Sequence, residues 1–166
     1  MQQNRSDILV LFWQKCQILK SFIFGDLRSE LMASAGKVLR RFRCHGEKFI
    51  IVENMHDLPY VQKVGPEILT SMTSACSQVR KVFPKDKPIG VQVLAGANKG
   101  ALAVALAAEL DFIRAEGFVF GHVADEGWMD AQAGELLRYR NNIGANHIKI
   151  FTDIKVRNRN FGQIWP

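Results

Sequence analysis

The sequence predicts an α/β fold built on a parallel sheet, and three observations carry that prediction. Apolar, β-branched runs recur at residues 49–53, 89–94, 112–116 and 148–154. Stretches of helical period separate them, so strand and helix alternate across short links. Such alternation is solved by a parallel sheet with right-handed crossovers. The first run leads straight into closely spaced polar side chains, Glu53-Asn54-Met55-His56-Asp57, and the pattern returns over 89–98 and 112–122. In folds of this class, ligands are bound where strands end and loops begin.

Taken in chain order, Leu27, Leu31, Ala35 and Val38/Leu39 recur at helical spacing and predict an amphipathic helix over 26–41, with Asp26 as its cap. Residues 49–53 form the first clear strand. Pro66 opens a helix, where its missing N–H costs nothing, and Glu67 favours the positive end of that first turn. Ile68, Leu69, Met72, Cys76 and Val79 are its buried stripe. A turn with two prolines at 83–88 leads into the strand at 89–94. Residues 99–110 are nearly all Ala and Leu and predict a helix lying close on the sheet. The strand at 112–116 is followed by a loop through Asp125, a helix over 130–142 that stops near Gly144, and the strand at 148–154.

The chain has 166 residues, enough for one domain with a sizeable core, and a hydrophobic fraction of 48%. Residues 1–43 carry eight Lys/Arg against three Asp/Glu, whereas the remainder carries fourteen against thirteen. The basic start reads as a solvated helix face; a mitochondrial presequence is the alternative, opposed by Asp7, Asp26 and Glu30. Without a basic face on the strand-and-helix body, nucleic acid is not an expected partner. No apolar run reaches the length of a membrane span, since Lys15 and Lys20 follow the run at 8–13. Cys16, Cys44 and Cys76 have no metal or redox spacing, and their odd number favours a reducing, cytoplasmic compartment.

Alternation along each strand sorts the polar groups by face. Phe49, Ile51 and Glu53 share one face, as do Gly90, Gln92 and Leu94, then Phe112, Arg114 and Glu116, then Lys149, Phe151, Asp153 and Lys155. If these faces line a barrel, Glu53, Gln92, Arg114, Glu116, Asp153 and Lys155 converge at its mouth. Buried charges are costly alone, so the set must either satisfy itself or serve a ligand. In the second case Glu53 or Asp153 is the acid–base candidate, and Asn54, Gln92, Arg114, Glu116 and Lys155 bind a small anionic ligand. His56, Asp57, His122 and Asp125 are candidate ligands of a divalent metal. Residues 96–100 (GANKG) superficially resemble a phosphate loop opening a helix, but lack the full pattern; Asn98 reads as a helix cap. No serine lies in a nucleophile elbow and no cysteine has a base beside it, which disfavours covalent hydrolysis. The sequence identifies no cofactor.

Three stretches resemble the BtpA family: IIVENMHDLPYVQKVGPE, then PIGVQVLAGANKGALAVALAAELDFIRAEGFVFGHVADEGWMDAQAGELLRYR, and IKIFTDIK, together covering about residues 48–155. The resemblance implies a TIM-barrel fold and, from the family's name-giving member, a factor needed for photosystem I accumulation in cyanobacteria, a non-catalytic role as an assembly or stability factor. Most members have no assigned reaction. A complete barrel takes about 250 residues, so the expectation is a partial (β/α)8 barrel of about four parallel strands. Residues 44–155 are the barrel domain, flanked by a divergent basic segment at 1–43 and a polar tail at 156–166. The chain is thus expected to be a fragment or truncated form, prone to self-association through its open sheet edges.

Overall fold

The computed structural model describes residues 49–54, 57, 59–124 and 126–152, together with two short strands at Ile8–Val10 (β1) and Ile18–Lys20 (β2). Strand β3 (Ile50–Glu53) is followed by helix α1 (Pro66–Val82), strand β4 (Ile89–Gln92), helix α2 (Asn98–Ala107) and strand β5 (Phe112–Ala115). A hairpin of β6 (His122–Ala124) and β7 (Gly127–Met129) comes next, then helix α3 (Ala133–Asn142) and strand β8 (Lys149–Thr152).

The four expected strands are parallel neighbours in chain order, β3-β4-β5-β8. Two further strands extend the sheet: β2 pairs with β3, and β1 pairs with β8, both parallel. The order β1-β8-β5-β4-β3-β2 is that of a ring read in chain order, with its seam between β1 and β2. The architecture is that of part of a (β/α)8 barrel. The two N-terminal strands differ from the basic helix face read from the sequence. At three residues each, they are too short for periodicity to separate strand from helix. The helix expected over 26–41 lies outside the described residues.

One face of the sheet packs on the helices. Ile50, Val52, Ile89, Val91, Ile113, Ala115 and Ile150 join Met72, Cys76 and Val79 of α1, Leu102 and Ala105 of α2, and Leu136 of α3 in one buried cluster. Pro66 stands at the first helical position of α1, as its ring geometry favours, and Arg80 and Lys81 sit in its last turn, where cations suit the dipole. Arg80 also ties that end down, donating to the Pro84 carbonyl at 2.7 Å and to Asp111 at 3.2 Å.

The opposite face is layered by register. Ile51 pairs with Gly90, Gly90 with Phe112 and Phe112 with Lys149. Phe112 lies over Gly90, so that a Cβ there would fall 2.1 Å from its ring. The ring also meets Phe49 edge-on at 5.8 Å and Phe151 at 4.5 Å between centroids. Gly90→Ala is therefore expected to destabilise the fold by roughly 1–3 kcal/mol through overpacking, measurable by denaturant unfolding.

The loop expected after β5 contains the β6–β7 hairpin, which pairs His122 with Met129, Val123 with Trp128 and Ala124 with Gly127. Gly127, at φ 98°, takes the left-handed turn that other residues resist.

Candidate functional site

The next layer toward the strand C-termini is polar. Glu53 of β3 pairs in register with Gln92 of β4, and Arg114 of β5 pairs with Phe151 of β8. Glu53, Gln92 and Arg114 thus stand side by side on the face that strand alternation assigned to them. Glu53 and Gln92 are only 3% and 1% exposed, so both need partners. Arg114 supplies them: its Nη1 donates to Gln92 Oε1 at 2.8 Å and to Glu53 Oε1 at 3.3 Å. Gln92 then passes the chain on, donating through Nε2 to Glu116 Oε1 at 2.8 Å. The amide's two ends match an arginine on one side and a carboxylate on the other.

Glu116, just beyond β5, reaches across with its second oxygen to accept from the Gly96 N–H at 2.9 Å. The start of GANKG is thus occupied by the protein's own carboxylate. Asn98 does not cap α2; the cap position is Ala97, and no side chain bonds the helix end there. Instead Asn98 turns toward β5, donating to the Glu116 carbonyl at 2.6 Å and accepting from its N–H at 3.1 Å. A first-turn asparagine and a capping asparagine look alike in sequence, because both precede an apolar helical run.

Asn54, fully buried at the end of β3, makes a parallel clamp to β4. Its Oδ1 accepts from the Leu94 N–H at 2.7 Å, and its Nδ2 donates to the Leu94 carbonyl and to Asp57, both at 3.3 Å. Two asparagines thereby join consecutive strand ends, Asn54 from β3 to the chain after β4, Asn98 from α2 to the chain after β5.

The expected residues Glu53, Asn54, Gln92, Arg114 and Glu116 are therefore gathered at the strand ends, joined by Asn98 and the Gly96 N–H, which the sequence offers only as a helix cap and as part of a stretch resembling a phosphate loop. Asp153, Lys155, His56 and Asp125 lie outside the described residues. Of the candidate metal ligands, Asp57 accepts from Asn54, and His122 begins β6. Among the described residues, no group of three or more His, Cys, Asp or Glu side chains is arranged to hold a metal. Tyr60, in the loop after β3, reports the field at this mouth. Its hydroxyl is pushed above the ordinary range by burial first, then by Glu126, Glu53, Asp57 and Glu116. Cys76, on the buried stripe of α1, has its thiol pushed up to about 12 by burial, which leaves it a packing group at neutral pH. No helix among the described residues is long and apolar enough to cross a membrane.

Comparison with known proteins agrees with this architecture. The model of the BtpA family matches residues 21–163, a wider span than the stretches quoted above. An uncharacterised mitochondrial protein of Caenorhabditis elegans is 55% identical over 115 residues, which are 67% of this chain and 42% of that protein. An uncharacterised protein of Archaeoglobus fulgidus is 32% identical over 129 residues, 78% of this chain and 51% of its own. The photosystem I biogenesis protein BtpA of Synechocystis is 32% identical over 109 residues, 65% of this chain and 37% of its own. The chain spans about half the length, or less, of these relatives. No solved structure matches it. The family model covers well over half of the sequence, and the chain belongs to the BtpA family.

Proposed function

We propose that the protein containing this chain acts in the biogenesis or upkeep of a larger protein assembly. The observation that carries this reading is the similarity to the Synechocystis photosystem I biogenesis protein. The site is in keeping with it. Glu53, Arg114, Gln92, Glu116 and the Gly96 N–H are engaged with one another, so the strand ends serve as a rigid platform. The mitochondrial relative from Caenorhabditis supports a mitochondrial over a cytoplasmic setting. Depletion of the full-length product, followed by native gels of organelle complexes, tests the role. The expected result is loss of at least one complex while the transcripts of its subunits hold steady. Complexes that all stay at their normal level would contradict it.

A second reading, an enzyme acting on a small anionic or phosphorylated metabolite, is favoured by one observation. The Arg114 side chain keeps 27% exposure while its partner Glu53 has 4%, so the arginine is the more open member of the pair. Arg114, joined by Lys155, would hold the anion, with Glu53 or Asp153 as base and a metal, if any, on His56, Asp57, His122 and Asp125. Because Glu116 already fills the Gly96 N–H, the anion would have to sit on Arg114 rather than at the start of α2. Native mass spectrometry and elemental analysis of a purified full-length relative decide this point. A stoichiometric metabolite or metal supports the enzyme, and its absence removes the basis for it.

A further inference from the structure

The β6–β7 hairpin has two unlike faces. Met129 is buried and reaches Gly96, and its pair His122 is half-buried, whereas Val123 and its pair Trp128 are 39% and 60% exposed. The stretch leading into the hairpin adds Val119 at 57% and Phe120 at 77%, and the loop after β3 adds Val61 at 50%. The stretch at 119–121 and the loop carrying Val61 both adjoin β7. The Trp128 ring lies against Gly121, with Cζ2 3.0 Å from where a Cβ would stand, beside Phe120 in the chain. Gln62 ties the loop of Val61 to β7 by donating to the Trp128 carbonyl at 3.0 Å and the Glu126 carbonyl at 3.3 Å. Soluble surfaces rarely keep aromatic and branched side chains together in water unless something binds them, and tryptophan and phenylalanine anchor protein interfaces.

The surroundings of this patch are acidic. Asp130 accepts from Trp128 Nε1 at 2.7 Å, and Glu126 sits at the hairpin turn. Burial first, and after it the carboxylates of Glu126, Glu53, Asp57 and Glu116, push the neighbouring Tyr60 hydroxyl above its ordinary range. Lys63 is the cation that the adjoining loop sets against them. The acidity is local, because residues 44–166 as a whole are nearly neutral.

We infer that Val61, Val119, Phe120, Val123 and Trp128 form a docking surface for a partner protein, and that its occupant is an apolar segment bearing lysines or arginines. The apolar side chains of such a segment would cover Phe120 and Trp128, while its cations would meet Asp57, Glu126 and Asp130. An anionic lipid surface fits less well, since those carboxylates would repel it. The inference rests on the assembly reading for its biological setting, but not for its chemistry.

The test uses the full chain and two fluorescent amphipathic peptides, one of leucine and lysine, the other of leucine and glutamate. The lysine peptide is expected to bind at least about tenfold tighter than the glutamate peptide, with an advantage that shrinks in high salt. The double variant Phe120→Ser/Trp128→Ser should weaken binding by roughly thirtyfold, as loss of interface anchors does. Its melting curve should match the parent, because both side chains are exposed. Equal affinity for the two peptides, or binding untouched by the double variant, overturns the inference. So does binding of phosphatidylglycerol vesicles in place of the lysine peptide, or a self-association of the chain that the double variant abolishes. Peptide binding beside an unchanged complex profile in depleted cells would sink the assembly role and leave the surface standing. The reverse combination would remove the surface and leave the role.

Discussion

Arg114→Met is expected to lower the stability of the fold by roughly 3–5 kcal/mol, the cost of stripping one partner from a buried ion pair. The guanidinium is the shared donor to Glu53 and Gln92, both almost wholly withdrawn from water. Methionine fills similar space but donates nothing, so the Glu53 carboxylate stays buried with its ion pair gone. The Gln92 carbonyl likewise loses its arginine donor, and with it the orientation that lets Nε2 serve Glu116. Arg114→Lys tests geometry separately from charge. Lysine keeps the charge and enough donors for both acceptors, but it is shorter and carries a strongly hydrated point charge in place of the guanidinium, so partial rescue is expected. If the polar cluster is instead a ligand site, stability should hold while ligand binding is lost. A methionine variant unchanged in both respects would remove the cluster from any account of this protein.

Phe112→Ala should be about as damaging, at roughly 3–5 kcal/mol, or a fall in Tm of about 10 °C for a domain of this size. The ring is 2% exposed, covers Gly90 and contacts Phe49 and Phe151. Its loss empties the layer directly beneath Arg114. The same geometry predicts a sign change. Gly90→Ala, harmful in the parent, should be neutral or stabilising once Phe112 is alanine, because its methyl would enter the vacated space. A double-mutant cycle measures that coupling; strict additivity would show that the two residues do not touch as described.

Much of this was legible in the sequence, and what was not has identifiable causes. Period-two alternation placed Glu53, Gln92, Arg114 and Glu116 on one face, because residue order alone fixes which side chains share a side of a strand. It could not say that Gly90 and Phe112 are complementary, since that depends on register between strands. Asn98 reads as a cap because the sequence shows the helix start but not the direction of that side chain. Gly96 belongs to a stretch that resembles a phosphate loop, but only the folded chain brings Glu116 to its N–H. The hairpin did leave a trace: Val123 and Trp128 flank a turn with Gly127, an alternation too brief to stand out from the surrounding loop. The N-terminal strands were obscured for the same reason, with three residues each and lysines close by.

The assembly role is tested most directly by the rate at which new complexes form. In cells depleted of the full-length product, newly synthesised subunits would be pulse-labelled and followed into mature complexes on native gels. The account predicts slowed incorporation with unchanged subunit synthesis and unchanged decay of complexes made before depletion. Incorporation at the normal rate would contradict it.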